Sequence, residues 1–138
     1  MVDTSSIRTL VVDDSGAMRR ILSNYLGKLG FEKIKEAPNG RKALFQIAVS
    51  EFDLVLMDWN MPEMNGLDTL KTIRSKGLKM PVVMITTEGD KRHVVQALTA
   101  GANNYIVKPF TLEILGKKLW ETLDLHNTST GKEKDKDA

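Results

Sequence analysis

The chain has 138 residues, the length of one ordinary domain, which leaves no room for a two-domain enzyme. With 41% hydrophobic and 28% charged residues it can bury a core, which excludes a disordered or fibrous chain, and its net charge of +2 gives no support to nucleic-acid binding. Zero cysteines exclude disulfides, thiolate metal sites and cysteine nucleophiles together, and fit a reducing compartment, so the cytoplasm is the default expectation. The start Met1-Val2-Asp3-Thr4-Ser5-Ser6 has neither a basic nor an apolar signal region, and no apolar run approaches the ~18 residues of a membrane span.

In chain order, almost wholly apolar runs recur at Leu10–Val12, Leu54–Met57, Val82–Ile85 and Tyr105–Val107, the pattern of strands buried on both faces. A further strand at Lys33–Ala37 alternates in polarity and reads as a half-exposed edge strand. The first helix carries an apolar stripe of Met18, Ile21, Leu22, Tyr25, Leu26 and Leu29, with Ser15 to cap it and Gly30 to end it. Ala43, Leu44, Ile47 and Ala48 mark a second helix, and Leu67, Leu70 and Ile73 a third. Val94, Val95, Ala97 and Leu98 mark a fourth, stopped by Gly101, and Leu112, Leu115, Leu119 and Leu123 a fifth. Five strand-then-helix units predict an α/β, doubly wound fold with a parallel sheet. The stretch 126–138 mixes Lys with Asp and Glu, buries nothing and is expected to be a disordered tail.

In an open parallel sheet the ligand site lies at the carboxyl ends of the strands. There the sequence places Asp13 and Asp14, Asp58, Thr86 and Thr87, and Lys108 followed by Pro109. If the strands bearing Asp14 and Asp58 are neighbours, about 4.8 Å apart, three carboxylates crowd one site. Like charges at that range raise a pKa or recruit a cation, and an all-oxygen donor set favours a hard ion such as Mg²⁺. With a lysine and a hydroxyl added, the site suits a phosphoryl group gaining or losing a bond. Singly, each residue has an ordinary reading as a cap, a turn former or a solvated amine. Their coincidence at successive strand ends favours one shared site.

The motifs Val11-Val12-Asp13-Asp14-Ser15, Leu56-Met57-Asp58-Trp59-Asn60-Met61-Pro62 with Asn65-Gly66, Ile85-Thr86-Thr87-Glu88 and Tyr105-Ile106-Val107-Lys108-Pro109-Phe110-Thr111 resemble the receiver domain of two-component response regulators, more narrowly the stand-alone chemotaxis regulators. The resemblance covers residues 6–125. It implies a flavodoxin-like (βα)5 domain with strand order 2-1-3-4-5. It implies that Asp58 accepts a phosphoryl group from a histidine kinase, that Asp14, Asp58 and the Asn60 carbonyl hold Mg²⁺ with Asp13 reaching it through water, and that Lys108 and Thr86 contact the phosphoryl oxygens. Asn60 and Glu88 fall where the family tunes hydrolysis of the acyl phosphate, although a first-turn helix acid is an equal reading of Glu88. A cis peptide at Lys108-Pro109 is implied as well.

Tyr105 is implied to follow Thr86 inward, and Lys91, Val94, Tyr105 and Lys118 correspond to the surface that meets the flagellar motor switch. The implied protein is a cytoplasmic monomer that catalyses only its own phosphorylation and dephosphorylation, with room for a dedicated phosphatase as partner. Trp59 reads as an exposed aromatic able to report on metal, and Met61 and Met64 as loop packing. Gly89, where family members carry a Cβ, is expected to loosen the loop after strand four. Three other readings stay open: a phosphorelay shuttle or regulator of another partner, an aspartate-nucleophile phosphatase and a flavodoxin. Asn60 stands where the phosphatase needs an acid, and Asp13-Asp14 would repel the phosphate of a flavin.

Overall fold

The computed structural model describes residues 3–124 in full and the backbone alone from there to residue 137. The expected disordered tail therefore falls outside the fully described residues. After a short 3-10 turn at Thr4–Ser6, the elements alternate strictly: β1 (Arg8–Val12), α1 (Gly16–Lys28), β2 (Lys33–Ala37), α2 (Gly40–Val49), β3 (Leu54–Asp58), α3 (Gly66–Ser75), β4 (Val82–Thr86), α4 (Lys91–Thr99), β5 (Asn104–Val107) and α5 (Leu112–Asp137). All four strand pairings are parallel, in the order β2-β1-β3-β4-β5. The expected doubly wound α/β fold is present.

The helices start where the sequence offers a short polar cap. Ser15, Asn39, Asn65 and Asp90 each accept a hydrogen bond from the backbone N–H three residues on, at 2.8–3.1 Å. Gly30 and Gly101 follow α1 and α4 with φ of 92° and 106°, the left-handed conformation that ends a helix and that a Cβ disfavours.

Because the strands alternate their side chains, the sheet carries two cores. Leu10, Val12, Val55, Met57, Val82 and Met84 pack under α2, α3 and α4, against Ala43, Leu70, Ile73 and Ala97. Val11, Leu54, Leu56, Val83, Ile85 and Ile106 pack under α1 and α5, against Leu22, Leu26, Leu115, Leu119 and Leu123. The central strands β3 and β4 are buried along their whole length, whereas β2, at one edge, is exposed at Lys33, Lys35 and Glu36. That difference explains why β2 alternates and its neighbours do not.

Four stripe residues point elsewhere than the helical period suggests. Ile21 is 43% exposed, Val95 50% and Leu98 48%, and Ala48 is exposed as well. The reason for α4 is its place beside β5, the other edge strand, where the sheet ends and covers only the Ala97 side of the helix. Among the described residues no helix is long and apolar enough to cross a membrane.

Candidate functional site

The strand order makes β3 the neighbour of both β1 and β4, so Asp13, Asp58 and Thr86 arrive at one edge. Val12 pairs with Met57 and Asp58 with Ile85 in parallel register. Backbone bonds extend the ladder past the strand ends: Asp13 N–H donates to Ala37 O, Trp59 N–H to Ile85 O at 2.9 Å, and Lys108 N–H to Thr86 O at 2.7 Å. The side chains at this edge therefore stand on rigid backbone.

Lys108, two residues before the capping Phe110-Thr111 segment of α5, reaches back across the edge. Its Nζ donates to Asp13 Oδ2 and to Asp58 Oδ1, each at 3.1 Å. The Lys108-Pro109 peptide is cis, as the family resemblance implied. Asp13 is further tied by Ser15 N–H, which donates to its Oδ1 at 2.9 Å, and is buried, as is Asp58, while Asp14 is exposed. Carboxylate oxygens of Asp13, Asp14 and Asp58 lie within 4.8 Å of one another.

Three carboxylates against one ammonium leave an excess of negative charge in a largely dry place. Burial pushes Asp58 up to about 6, with Asp13 and Asp14 acting the same way and Lys108 opposing them. For Lys108, burial disfavours the ammonium, but Asp58 and Asp13 outweigh it and its pKa is raised. An oxygen-only cluster short of positive charge fits a hard divalent cation that keeps part of its water shell, so the donor set suits Mg²⁺. Asn60 lies exposed in the following loop, two residues from Asp58.

Thr86 ends β4 buried, and its hydroxyl accepts from Glu88 N–H at 2.8 Å. Tyr105 is half-buried on β5, opposite Met84, with the Lys118 ammonium 4.8 Å from its ring centre. Lys91 and Val94 lie on α4, exposed and half-buried, so these four residues occupy adjoining elements α4, β5 and α5.

One expectation changes. Trp59 is 7% exposed, not a surface aromatic: its ring packs edge-on against His93 at 5.2 Å, and Met61 beside it is buried. Gly89 has a steric counterpart in Val107, whose Cγ2 would sit 2.8 Å from a methyl at that position. The loop after β3 closes by Gly66 N–H donating to Trp59 O at 2.8 Å, and a methyl on Gly66 would run into the Asp58 carbonyl. Its residue Glu63 has φ of 68°, unusual for a side chain with a Cβ.

Arg19 escaped the sequence reading. Its Nη1 donates to the Asp13 carbonyl at 2.7 Å and its Nε pairs with Glu36 at 3.0 Å, which braces the β1 end against β2. The available signal was a cation near a helix N-terminus, where the helix dipole disfavours one.

The response regulator receiver domain family matches residues 9–119. The chain belongs to that family. It is 51% identical over 116 residues to the chemotaxis protein CheY1 of Helicobacter pylori, covering 82% of this chain and 94% of that protein. It is 50% identical over 120 residues to the CheY homologue of Campylobacter jejuni, covering 85% and 92%. Among solved structures, the chemotaxis protein CheY4 of Vibrio cholerae superposes with a TM-score of 0.79 at 33% identity, covering 84% of this chain and 98% of that one. A CheY-like receiver domain from Methanospirillum hungatei gives 0.81 at 29% identity, covering 89% and 98%. This receiver domain is thus that of a CheY-like chemotaxis response regulator, with the family's flavodoxin-like strand order.

Proposed function

We propose that this receiver takes a phosphoryl group from a chemotaxis-type histidine kinase onto Asp58, with Mg²⁺, and in that state binds a flagellar motor switch protein. The observation that carries the reading is Lys108 Nζ held 3.1 Å from both Asp13 and Asp58 beside a buried threonine. With a pKa of about 6, Asp58 is mostly the carboxylate at neutral pH. One of its oxygens forms the new O–P bond as the donor's N–P bond breaks. Lys108 then gives its ammonium to a phosphoryl oxygen in place of the carboxylate oxygen it holds at rest. Mg²⁺, held by Asp13, Asp14, Asp58 and the Asn60 carbonyl, would supply the remaining positive charge. The protein acts on no substrate but itself, and the role belongs to the cytoplasm.

Phosphorylation reaches the surface through Thr86. Its hydroxyl leaves the Glu88 N–H to donate to a phosphoryl oxygen, which vacates space that the Tyr105 ring can enter. Output then passes to the face of Tyr105, Lys91, Val94 and Lys118, where exposed Val95, Leu98 and Val107 on the same elements add apolar surface suited to a partner. Asn60 and Glu88 stand where they can tune hydrolysis, with or without a dedicated phosphatase.

A ligand moves such an equilibrium only by its differential affinity, with coupling of about 1–3 kcal/mol, or roughly 5- to 150-fold. Titrating the N-terminal segment of a motor switch protein against the protein, with and without a stable phosphoryl mimic, should show a gain in that range. Equal affinity in both states contradicts the motor output and leaves the receiver chemistry standing.

A further inference from the structure

Exposed large apolar side chains gather in two places on the described surface. Val95, Leu98 and Val107 belong to the output face described above, while Ile21 and Ile114 stand singly on α1 and α5. Phe45 and Val49, on α2, are the most exposed of all, at 67% and 63%. Four residues apart, they lie one above the other on the helix, with Arg41 one turn before them and exposed Ala48 beside them. This stripe turns away from the face that α2 buries through Ala43.

A single exposed apolar side chain is ordinary, but an exposed aromatic next to a second apolar group is the makeup of a contact anchor. Two cations flank it. Arg41 and Lys42 are exposed in the first turn of α2, a helix that contains no Asp or Glu, and among the described residues neither side chain forms an ion pair or hydrogen bond. The helix dipole disfavours cations at that end, so a carboxylate from outside the helix is the complement they lack.

The chain itself carries such a carboxylate. Glu51 follows the C-cap Ser50, its side chain is 85% exposed, and only its Oε2 is engaged, by Arg8 Nη1 at 3.1 Å. The α2 surface is thus cationic at its start, apolar in its middle and anionic just past its end. Turned end for end, it is complementary to itself, as the shared patch of a two-fold dimer must be.

We propose that α2 is a self-association surface, which pairs antiparallel with α2 of a second copy of this chain about a two-fold axis between Phe45 and Val49. Phe45 then lies against the partner's Val49 and the reverse, Arg41 and Lys42 face the partner's Glu51, and the two helix dipoles run opposed. Because α2 packs on β2 and β1, at the far end of the sheet from β5, pairing leaves the face of Tyr105 and Lys118 open. One helix from each copy makes a small interface, so the association is weak and reversible and the expected monomer is its dilute form. It does not depend on the function proposed above.

Sedimentation equilibrium of the full chain at low salt, over rising protein concentration, tests the pairing. The average mass of wild type should climb from that of one chain towards that of two. Phe45→Ala should weaken the association roughly 30-fold, as loss of a central anchor does. Its urea midpoint in dilute solution should stay near that of wild type, since the position is exposed and alanine favours the helix. Arg41→Glu and Glu51→Arg should each weaken the association, and the two together should restore it, because the exchanged charges again oppose across an antiparallel pair. A mass of one chain at every concentration overturns the proposal. So does association unchanged in Phe45→Ala, association lost in Leu98→Ala instead, or no restoration in the double variant.

Discussion

Lys108 and Asp58, 50 residues apart in sequence, meet at 3.1 Å between Nζ and Oδ1, and the same ammonium holds Asp13 Oδ2 at 3.1 Å. One cation thus spans the ends of β1 and β3 from the loop after β5. It is the fixed charge about which the site is arranged.

Replacing that cation by one of different shape should separate chemistry from switching. A guanidinium is a planar fork and cannot sit between two carboxylates as a point charge does. Lys108→Arg is expected to accept phosphoryl from acetyl phosphate yet to lose most of the phosphorylation-dependent gain in partner binding, read by mass and by peptide titration.

Without metal, the carboxylate cluster should weaken the fold at neutral pH. Asp58 binds its proton up to about pH 6 when folded but releases it near 3.8 when unfolded, so the folded state holds more protons between those values. Stability therefore falls as pH rises through that window. In EDTA, Asp58→Asn should be more stable than wild type by on the order of 1–3 kcal/mol at about pH 7, and the gain should shrink towards pH 4. Urea unfolding across that range measures it.

Trp59 should report on Mg²⁺ from within the core. It adjoins Asp58 in sequence and is packed against His93, while Trp120, the other tryptophan, stacks on Phe31 beside α1 and α5. In a Trp120→Phe background, Mg²⁺ is expected to change the Trp59 emission, and Asp14→Ala should abolish the response.

Gly66 is the close-approach glycine of the site, since a methyl there meets the Asp58 carbonyl and the Met57 side chain. Gly66→Ala should cost about 1–3 kcal/mol by overpacking, seen as a lower urea midpoint, and should slow phosphorylation by displacing the Asp58 backbone.

The sequence made the strand ends legible because a parallel sheet writes its buried strands as continuous apolar runs and its site immediately after them. Asp13, Asp14, Asp58, Thr86 and Lys108 could be found that way. Neighbourhood could not: that β1 lies beside β3 depends on the order of the sheet, which came from the family resemblance. Ile21, Val95 and Leu98 misled because helical period shows which residues share a face and not how far the sheet extends beneath it. Arg19 bonds the backbone carbonyl of Asp13 and Trp59 meets His93 through a ring edge, contacts that leave no periodic trace.

The central claim is that Asp58 is the phosphoacceptor, and intact-mass measurement after incubation with acetyl phosphate and Mg²⁺ tests it most directly. Wild type should gain the mass of one phosphoryl group, and Asp58→Asn should gain none, because an amide is no nucleophile for this step. Full modification of Asp58→Asn, or none of wild type, would contradict the account.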